Sequence, residues 1–186
     1  MKVHQTDFPG LLVLEPATFS DARGYFFESY NSRLFHDAGI DFTPVQDNES
    51  CSSYGVIRGL HFQAEPFAQA KLIRVILGEI YDVALDLRKG SPTFGKWYGV
   101  LMDSESKIQF FIPKGFAHGF SVLSDKAIVL YKCDSHYSVA HEGGINVKDP
   151  QLGIDWKVPA GREIISQKDL KQPLFSTLQT TFNFRG

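Results

Sequence analysis

From Lys71 to Cys133 the chain is a succession of short apolar-rich runs, each cut off by glycine, proline or a polar turn. Turn signals recur about every 8–12 residues, the punctuation of a β-sandwich or barrel. Lys71 to Leu77 and Glu79 to Leu87 read as strands, with Gly78 turning between them. In the second run Tyr81, Val83, Leu85 and Leu87 alternate with Asp82, Ala84, Asp86 and Arg88, a period of two. Arg88 to Thr93 is a turn, and Lys96 to Met102, Ile108 to Ile112, His118 to Leu123 and Ala127 to Cys133 continue the series. The expected fold is all-β, a double-sheet jelly roll with small peripheral helices. One helix follows Asn31 or Ser32 as cap, carries Leu34 and Phe35 on its apolar side and ends at Gly39. Asp155-Trp156 begins a covering segment, and Ser166 opens a helical turn. Asp21-Ala22-Arg23-Gly24 reads as a turn with Arg23 solvated, and Gln46 to Ser50 as a polar loop.

At 186 residues, with no internal repeat or linker, the chain is expected to form one domain over 1–186. Hydrophobic residues make up 43% and there are 16 Phe, enough for a thick core. A net charge of −2 offers no general attraction to nucleic acid or to an anionic membrane, so any phosphate must be met by local arginines. Cys51 and Cys133 form no Cys-x-x-Cys pair and read as reduced thiols. The first residues are polar without an apolar signal core, and no segment approaches a membrane span. A cytoplasmic location is the expectation.

The run Val56-Ile57-Arg58-Gly59-Leu60-His61-Phe62-Gln63 puts an arginine and a histidine into a sequence otherwise suited to a buried strand. Ten residues after His61, Lys71 enters an equally apolar strand. Ionisable groups aimed inward cost free energy unless paired or used. Arg58, His61 and Lys71 in one cavity make sense around an anion or a developing oxyanion. Such crowding lowers the histidine pKa and keeps it neutral, as a general base requires. Against this stands the ordinary alternative of a satisfied core histidine. Tyr131 reads equally well as a core aromatic with a tethered hydroxyl, and Tyr137 as a rim residue. Ser166-Gln167-Lys168-Asp169 is a capping-box pattern, which by itself favours a structural role for Asp169.

Pro113-Lys114-Gly115-Phe116-Ala117-His118 resembles the second signature of the cupin jelly roll, a tight Pro/Gly hairpin followed by an inward histidine. In metal-binding cupins that histidine is a ligand, joined by His-x-His and by a Glu seven residues before a turn glycine. Here Lys71 lies seven before Gly78, and no His-x-His precedes it. An ammonium at that position repels a divalent cation, so no metal site is expected.

Together these pieces resemble the dTDP-4-dehydrorhamnose 3,5-epimerase family through nearly the whole chain. The resemblance runs through Asp21 to Glu28, Val45 to Ser50, Gly55 to Gln63, Asp82 to Arg88, Gly90 to Gly95, Ala117 to Phe120, Tyr131 to Cys133 with Tyr137, and Ser166 to Asp169. It implies a cupin-type double-stranded β-helix and an isomerase. It further implies His61 as general base, Asp169 as its supporting carboxylate, Tyr131 as the acid on the opposite face of the sugar, and Lys71 near the C4 oxygen. Arg58, Gln46 and Asn48 would surround the diphosphate, with Tyr137 and Lys168 framing the substrate and His118 in the pocket wall. Arg23, Phe26 and Glu28 would contact the nucleotide, reaching across a homodimer from the other subunit.

The implied substrate is a 4-keto-6-deoxy hexose on dTDP. Its C3 and C5 hydrogens are both α to the ketone, so a base, an oxyanion stabiliser and an opposite-face acid suffice, with no redox cofactor. Three rival functions are a 3- or 5-monoepimerase, a non-catalytic sugar-nucleotide-binding jelly roll, and a metal-dependent dioxygenase. The first shares these residues, the second has no use for both His61 and Tyr131, and the third lacks ligands.

Overall fold

The structure, a computed structural model, describes residues 1–185. Its strands are β1 (Lys2–Gln5), β2 (Leu12–Glu15), β3 (Thr18–Asp21), β4 (Gly24–Phe27), β5 (Gln46–Ser53), β6 (Val56–Gln63) and β7 (Lys71–Leu77). They continue with β8 (Glu79–Asp86), β9 (Trp97–Asp103), β10 (Gln109–Ile112), β11 (Phe116–Val122), β12 (Lys126–Cys133), β13 (Glu142–Gly144) and β14 (Ile164–Ile165). Helix α1 spans Ser32–Asp37 and α2 spans Gln167–Leu170. One sheet has the order β1-β2-β10-β7-β12-β5; the other has β13-β6-β11-β8-β9, with β14 beside β6. From β5 to β13 the chain passes back and forth between the sheets, except at the β8–β9 hairpin within the second sheet, which is the jelly-roll topology expected.

Alternation between sheets corrects one expectation. The Pro113-Lys114-Gly115 turn is not a hairpin: β10 pairs with β2 and β7, whereas β11 pairs with β6 and β8. The turn carries the chain across the core, so the strand bearing His118 pairs with β6 and β8 of the second sheet rather than with its sequence neighbour β10. Helix α1 forms as read. Asn31 accepts hydrogen bonds from the backbone N–H groups of Arg33 and Leu34, and Gly39 leaves the helix at φ +72°. Buried Phe35 packs against Tyr30 and Phe42.

Strand β8 is buried on both faces, which its period of two did not show. Ile80 and Ala84 join Ile73, Val75, Phe110, Phe116, Phe120 and Val129 between the sheets. Tyr81, Val83, Leu85 and Leu87 point the other way, with Ile57 and Leu60, against Ile145, Val147, Leu152, Trp156 and Phe182. The C-terminal third therefore covers the outer face of the second sheet. Trp156 anchors it, its indole N–H donating to the Val147 carbonyl at 2.8 Å while the ring is buried. Asp82 and Asp86, on the polar side of the alternation, consequently point into the molecule and are both fully buried. Asp86 accepts bonds from Arg88 Nε (2.9 Å) and Nη2 (2.8 Å), Ser91 Oγ (2.6 Å) and Thr93 Oγ1 (2.7 Å). This carboxylate holds the Arg88 to Thr93 turn together.

Two further features position the site. Gln46 to Ser50 is not a loop but the first part of β5, which pairs along its whole length with β12. Gln46, Asn48, Ser50 and Ser52 are the more buried side, while Asp47, Glu49, Cys51 and Ser53 are exposed. The strand is polar on both faces because its inner face lines a cavity rather than an apolar core, so no hydrophobic alternation announces it. In β6 the register against β11 shifts: Arg58 pairs with Phe120 but His61 with His118, three residues against two. A strict period of two would send Arg58 and His61 to opposite faces. The extra residue resets the phase, so both reach the same cavity while Ile57 and Leu60 both pack outward. Gly59 makes this possible. Its φ is +130°, and a Cβ there would lie 2.6 Å from Gly119 Cα.

Candidate active site

Between the sheets at this end lies a cavity of about 500 Å³, lined by Arg58, His61, Lys71, His118, Tyr131, Lys168 and Asp169 among others. A smaller recess of about 230 Å³ shares His61, Lys71 and Tyr131 and adds Gln46, Asn48, Tyr137 and Glu142. His61 and His118 come from the second sheet, Lys71 and Tyr131 from the first. A molecule held between them meets an imidazole on one wall and a phenol and an ammonium on the other.

His61 Nε2 lies 2.7 Å from Asp169 Oδ1, a contact between residues 108 apart in sequence. The capping pattern around Asp169 is half fulfilled. Ser166 Oγ accepts the Asp169 backbone N–H at 3.0 Å, but the Asp169 carboxylate turns to His61. With Nε2–H donated to the carboxylate, Nδ1 is left with a lone pair for a substrate proton. The His61 pKa is lowered, as expected, but the leading cause is burial; Asp169 opposes the shift and Lys71 adds to it. The result is a neutral imidazole whose carboxylate partner stabilises the cation formed on protonation.

Burial likewise lowers the Lys71 ammonium pKa and raises that of the Tyr131 phenol. Lys71 Nζ sits 5.9 Å from the centre of the Tyr131 ring. No protein group among the described residues bonds the Tyr131 hydroxyl, so it is not the tethered core hydroxyl of the ordinary alternative. His118 is buried and pairs with Asp82 at 2.7 Å, while the other Asp82 oxygen has no partner among the described residues. His118 is thus a wall residue with a carboxylate of its own. Asp82 was missed in the sequence, because the alternation of β8 marks it as the polar face and only the folded structure buries that face.

Arg58 reaches the cavity from an exposed position and donates from Nε to Ser52 Oγ at 2.9 Å. Gln46 and Asn48 are linked at 3.0 Å, and the Gln46 side-chain oxygen accepts the Tyr137 backbone N–H. Tyr137, half exposed at the rim, donates to Glu142 at 3.0 Å. Lys168 makes two 2.7 Å contacts with the same carboxylate. Glu142 had no pattern in the sequence to mark it. Arg23, Phe26 and Glu28 do not line either recess. They belong to or follow the separate β3–β4 hairpin, where Arg23 pairs with Asp21 at 2.6 Å and Phe26 is 66% exposed. Among the described residues no three His, Cys, Asp or Glu side chains gather as a metal site would need. No described helix is long and apolar enough to cross a membrane.

The comparisons with known proteins point the same way as this geometry. The family profile of dTDP-4-dehydrorhamnose 3,5-epimerase matches residues 5–177. An enzyme of that name from Shigella flexneri is 49% identical over 176 residues, covering 94% of this chain and 96% of its own. One from Methanothermobacter thermautotrophicus is 51% identical over 166 residues, 89% of each chain. The crystal structure of the Legionella pneumophila dTDP-6-deoxy-D-glucose-3,5-epimerase in complex with dTDP-4-keto-L-rhamnose superposes with a TM-score of 0.94 at 42% identity. It covers 100% of this chain and 99% of its own. With a histidine–carboxylate pair facing a phenol and an ammonium inside a jelly roll, and with a family profile and relatives matching most of its length, this chain belongs to the dTDP-4-dehydrorhamnose 3,5-epimerase family.

Proposed function

We propose that His61, Asp169, Tyr131 and Lys71 are the catalytic groups with which this epimerase inverts C3 and C5 of dTDP-4-keto-6-deoxy-D-glucose to give dTDP-4-keto-L-rhamnose. The observation that carries the assignment is the 2.7 Å His61–Asp169 contact on one wall of a cavity whose other wall presents Tyr131 and Lys71. His61 Nδ1 takes the proton from a carbon next to the ketone, and the C–H bond pair becomes the enolate. Negative charge then grows on the C4 oxygen, where the Lys71 ammonium stabilises it more than it does the neutral ketone. The Tyr131 hydroxyl protonates the same carbon from the other face. The tyrosinate and the imidazolium return to their starting states by exchange with water, so the sugar is neither oxidised nor reduced.

Arg58, Gln46, Asn48, Tyr137, Lys168 and His118 would hold the substrate around the reacting ring. Arg58 and Lys168 supply charge for the diphosphate, and the polar inner face of β5 supplies donors. Arg23, Phe26 and Glu28 would meet the nucleotide from a second subunit. The β3–β4 hairpin supports this, since it leaves Phe19 and Phe26 each 66% exposed and Tyr25 60% exposed, more apolar surface than a free hairpin retains without a partner. The protein would then be a homodimer with its N-terminal segment exchanged. Two free thiols, one of them exposed, fit a reducing cytoplasm.

The test is incubation of the protein with dTDP-4-keto-6-deoxyglucose in deuterium oxide, with the label located by NMR. Wild type should incorporate deuterium at C3 and C5, and His61→Ala should fold yet incorporate at neither. Near wild-type exchange at either carbon in His61→Ala would rule out a single shared base. An active monomer by light scattering at assay concentration would refute the exchanged dimer.

A further inference from the structure

Glu142 occupies a place that the reaction scheme above does not use. It opens β13, whose register against β6 sets Glu142 opposite Gln63 and Gly144 opposite His61. Its carboxylate takes both 2.7 Å contacts from Lys168 and one 3.0 Å bond from the Tyr137 hydroxyl. Lys168 is the residue before Asp169 on α2, a helix of only four residues. One turn of helix has no stability of its own and keeps its place only through what it touches. Its other ties are the Ser166 cap, the Asp169 bond to His61 and the Leu170 carbonyl, which accepts from Asn146 Nδ2 at 2.8 Å. Glu142 is therefore the point where the strand beside the base, the turn carrying the base's carboxylate and the rim tyrosine are joined.

We propose that Glu142 is a positioning residue for the epimerisation: through Lys168 it fixes α2, and with it Asp169, against His61. The proposal rests on His61 being the base. Burial is the main influence on His61, and Glu142 acts on it in the same direction as Asp169, toward the protonated form. The other charged or titratable groups around His61 among the described residues are Arg58 on its own strand, His118 on β11, Lys168 on α2, Lys71 and Tyr131 across the cavity, and Tyr137 at the rim. Glu142 itself is held below the usual carboxylate range, first by the Lys168 bond, so it stays ionised wherever His61 titrates.

Two substitutions with opposite expected signs test this. Glu142→Gln keeps a partner for Tyr137 but removes the negative charge and frees the Lys168 ammonium, so the His61 pKa should fall. Lys168→Met leaves Glu142 unneutralised, so it should rise. The readout is the acidic limb of the pH profile of kcat/KM for deuterium wash-in, measured on the intact protein. Glu142→Gln should move the limb to lower pH, and Lys168→Met to higher pH, each by about half a unit, roughly threefold in rate on the limb. The maximal rate of Glu142→Gln should also fall as α2 loosens. A role confined to stability would lower the amount of active enzyme and leave both limbs where wild type has them, and that result overturns the proposal. Should Glu142→Gln fail to fold, the Lys168→Met shift decides alone: an unmoved limb overturns it. Absence of wash-in by wild type would instead remove the underlying assignment of function, so the two failures are told apart.

Discussion

Tyr131→Phe separates proton removal from inversion, and the structure sets what it should cost. The ring packs on the core between the sheets, beside Ile73 and Val129, and stays in place in the variant. Tyr131 lines the cavity and its hydroxyl has no protein partner among the described residues, so no intramolecular hydrogen bond of the usual ~1 kcal/mol is lost. Stability should stay within about 0.5 kcal/mol of wild type, a Tm change of about 1–2 °C for a chain of this size. Chemistry should change far more. Burial raises the phenol pKa, which keeps the proton on Tyr131 at neutral pH and available as an acid. General-acid assistance is typically worth about 10²- to 10⁴-fold, and inversion should fall by an amount in that range. His61, Asp169 and Lys71 remain, so His61 should still remove a proton, exchange it with solvent and return it to the face it came from. The assay follows deuterium wash-in and epimerisation in one NMR time course for wild type and variant. Wash-in that falls in step with inversion would refute the role of opposite-face acid and make Tyr131 an aid to enolisation.

Three other outcomes follow from the geometry. The acidic limb of kcat/KM for wild type should lie below the ordinary histidine value of 6.5, because burial favours the neutral ring and the base works only when neutral; a limb above 6.5 would contradict this. Gly59→Ala places a Cβ 2.6 Å from Gly119 Cα at φ +130°, so it should destabilise the fold by more than about 2 kcal/mol in urea and lower activity with it. Wild-type behaviour would mean that the β6 irregularity does not need glycine. Asp86→Asn leaves the buried Arg88 guanidinium without its counter-charge and should cost about 3–5 kcal/mol while sparing the chemistry of the surviving folded enzyme. Burial would raise the Asp86 pKa, but the bonds from Arg88, Ser91 and Thr93 outweigh it and hold the group below 3.8. Its stabilisation is thus present above the unfolded-state pKa and lost as pH falls through the folded one, and the variant should lack that acid-sensitive component of stability.

The amino-acid sequence by itself determined the strand series from Lys71 to Cys133, the capped helix at Asn31 and the helical turn at Ser166, because each is a local pattern of burial, turn chemistry or capping; the covering segment read from Asp155-Trp156 begins earlier, at Ile145. The sequence also carried the resemblance that brought His61, Lys71, Tyr131 and Asp169 together as one site. Tertiary structure decided the rest. A period of two cannot place Arg58 and His61 on one face; the shifted register at Gly59 does. The polar strand β5 has no apolar side to mark it, because a cavity and not a core lies against its inner face. The apolar side of β8 packs outward under the C-terminal third, which turns Asp82 toward His118 and Asp86 toward Arg88. Whether Asp169 merely caps α2 or serves His61 is decided by a contact across 108 residues, and Glu142 gains meaning only when Lys168 and Tyr137 converge on it. Local pattern records what each residue needs from its surroundings, whereas the partner that meets the need is chosen by chain segments packed together from far apart.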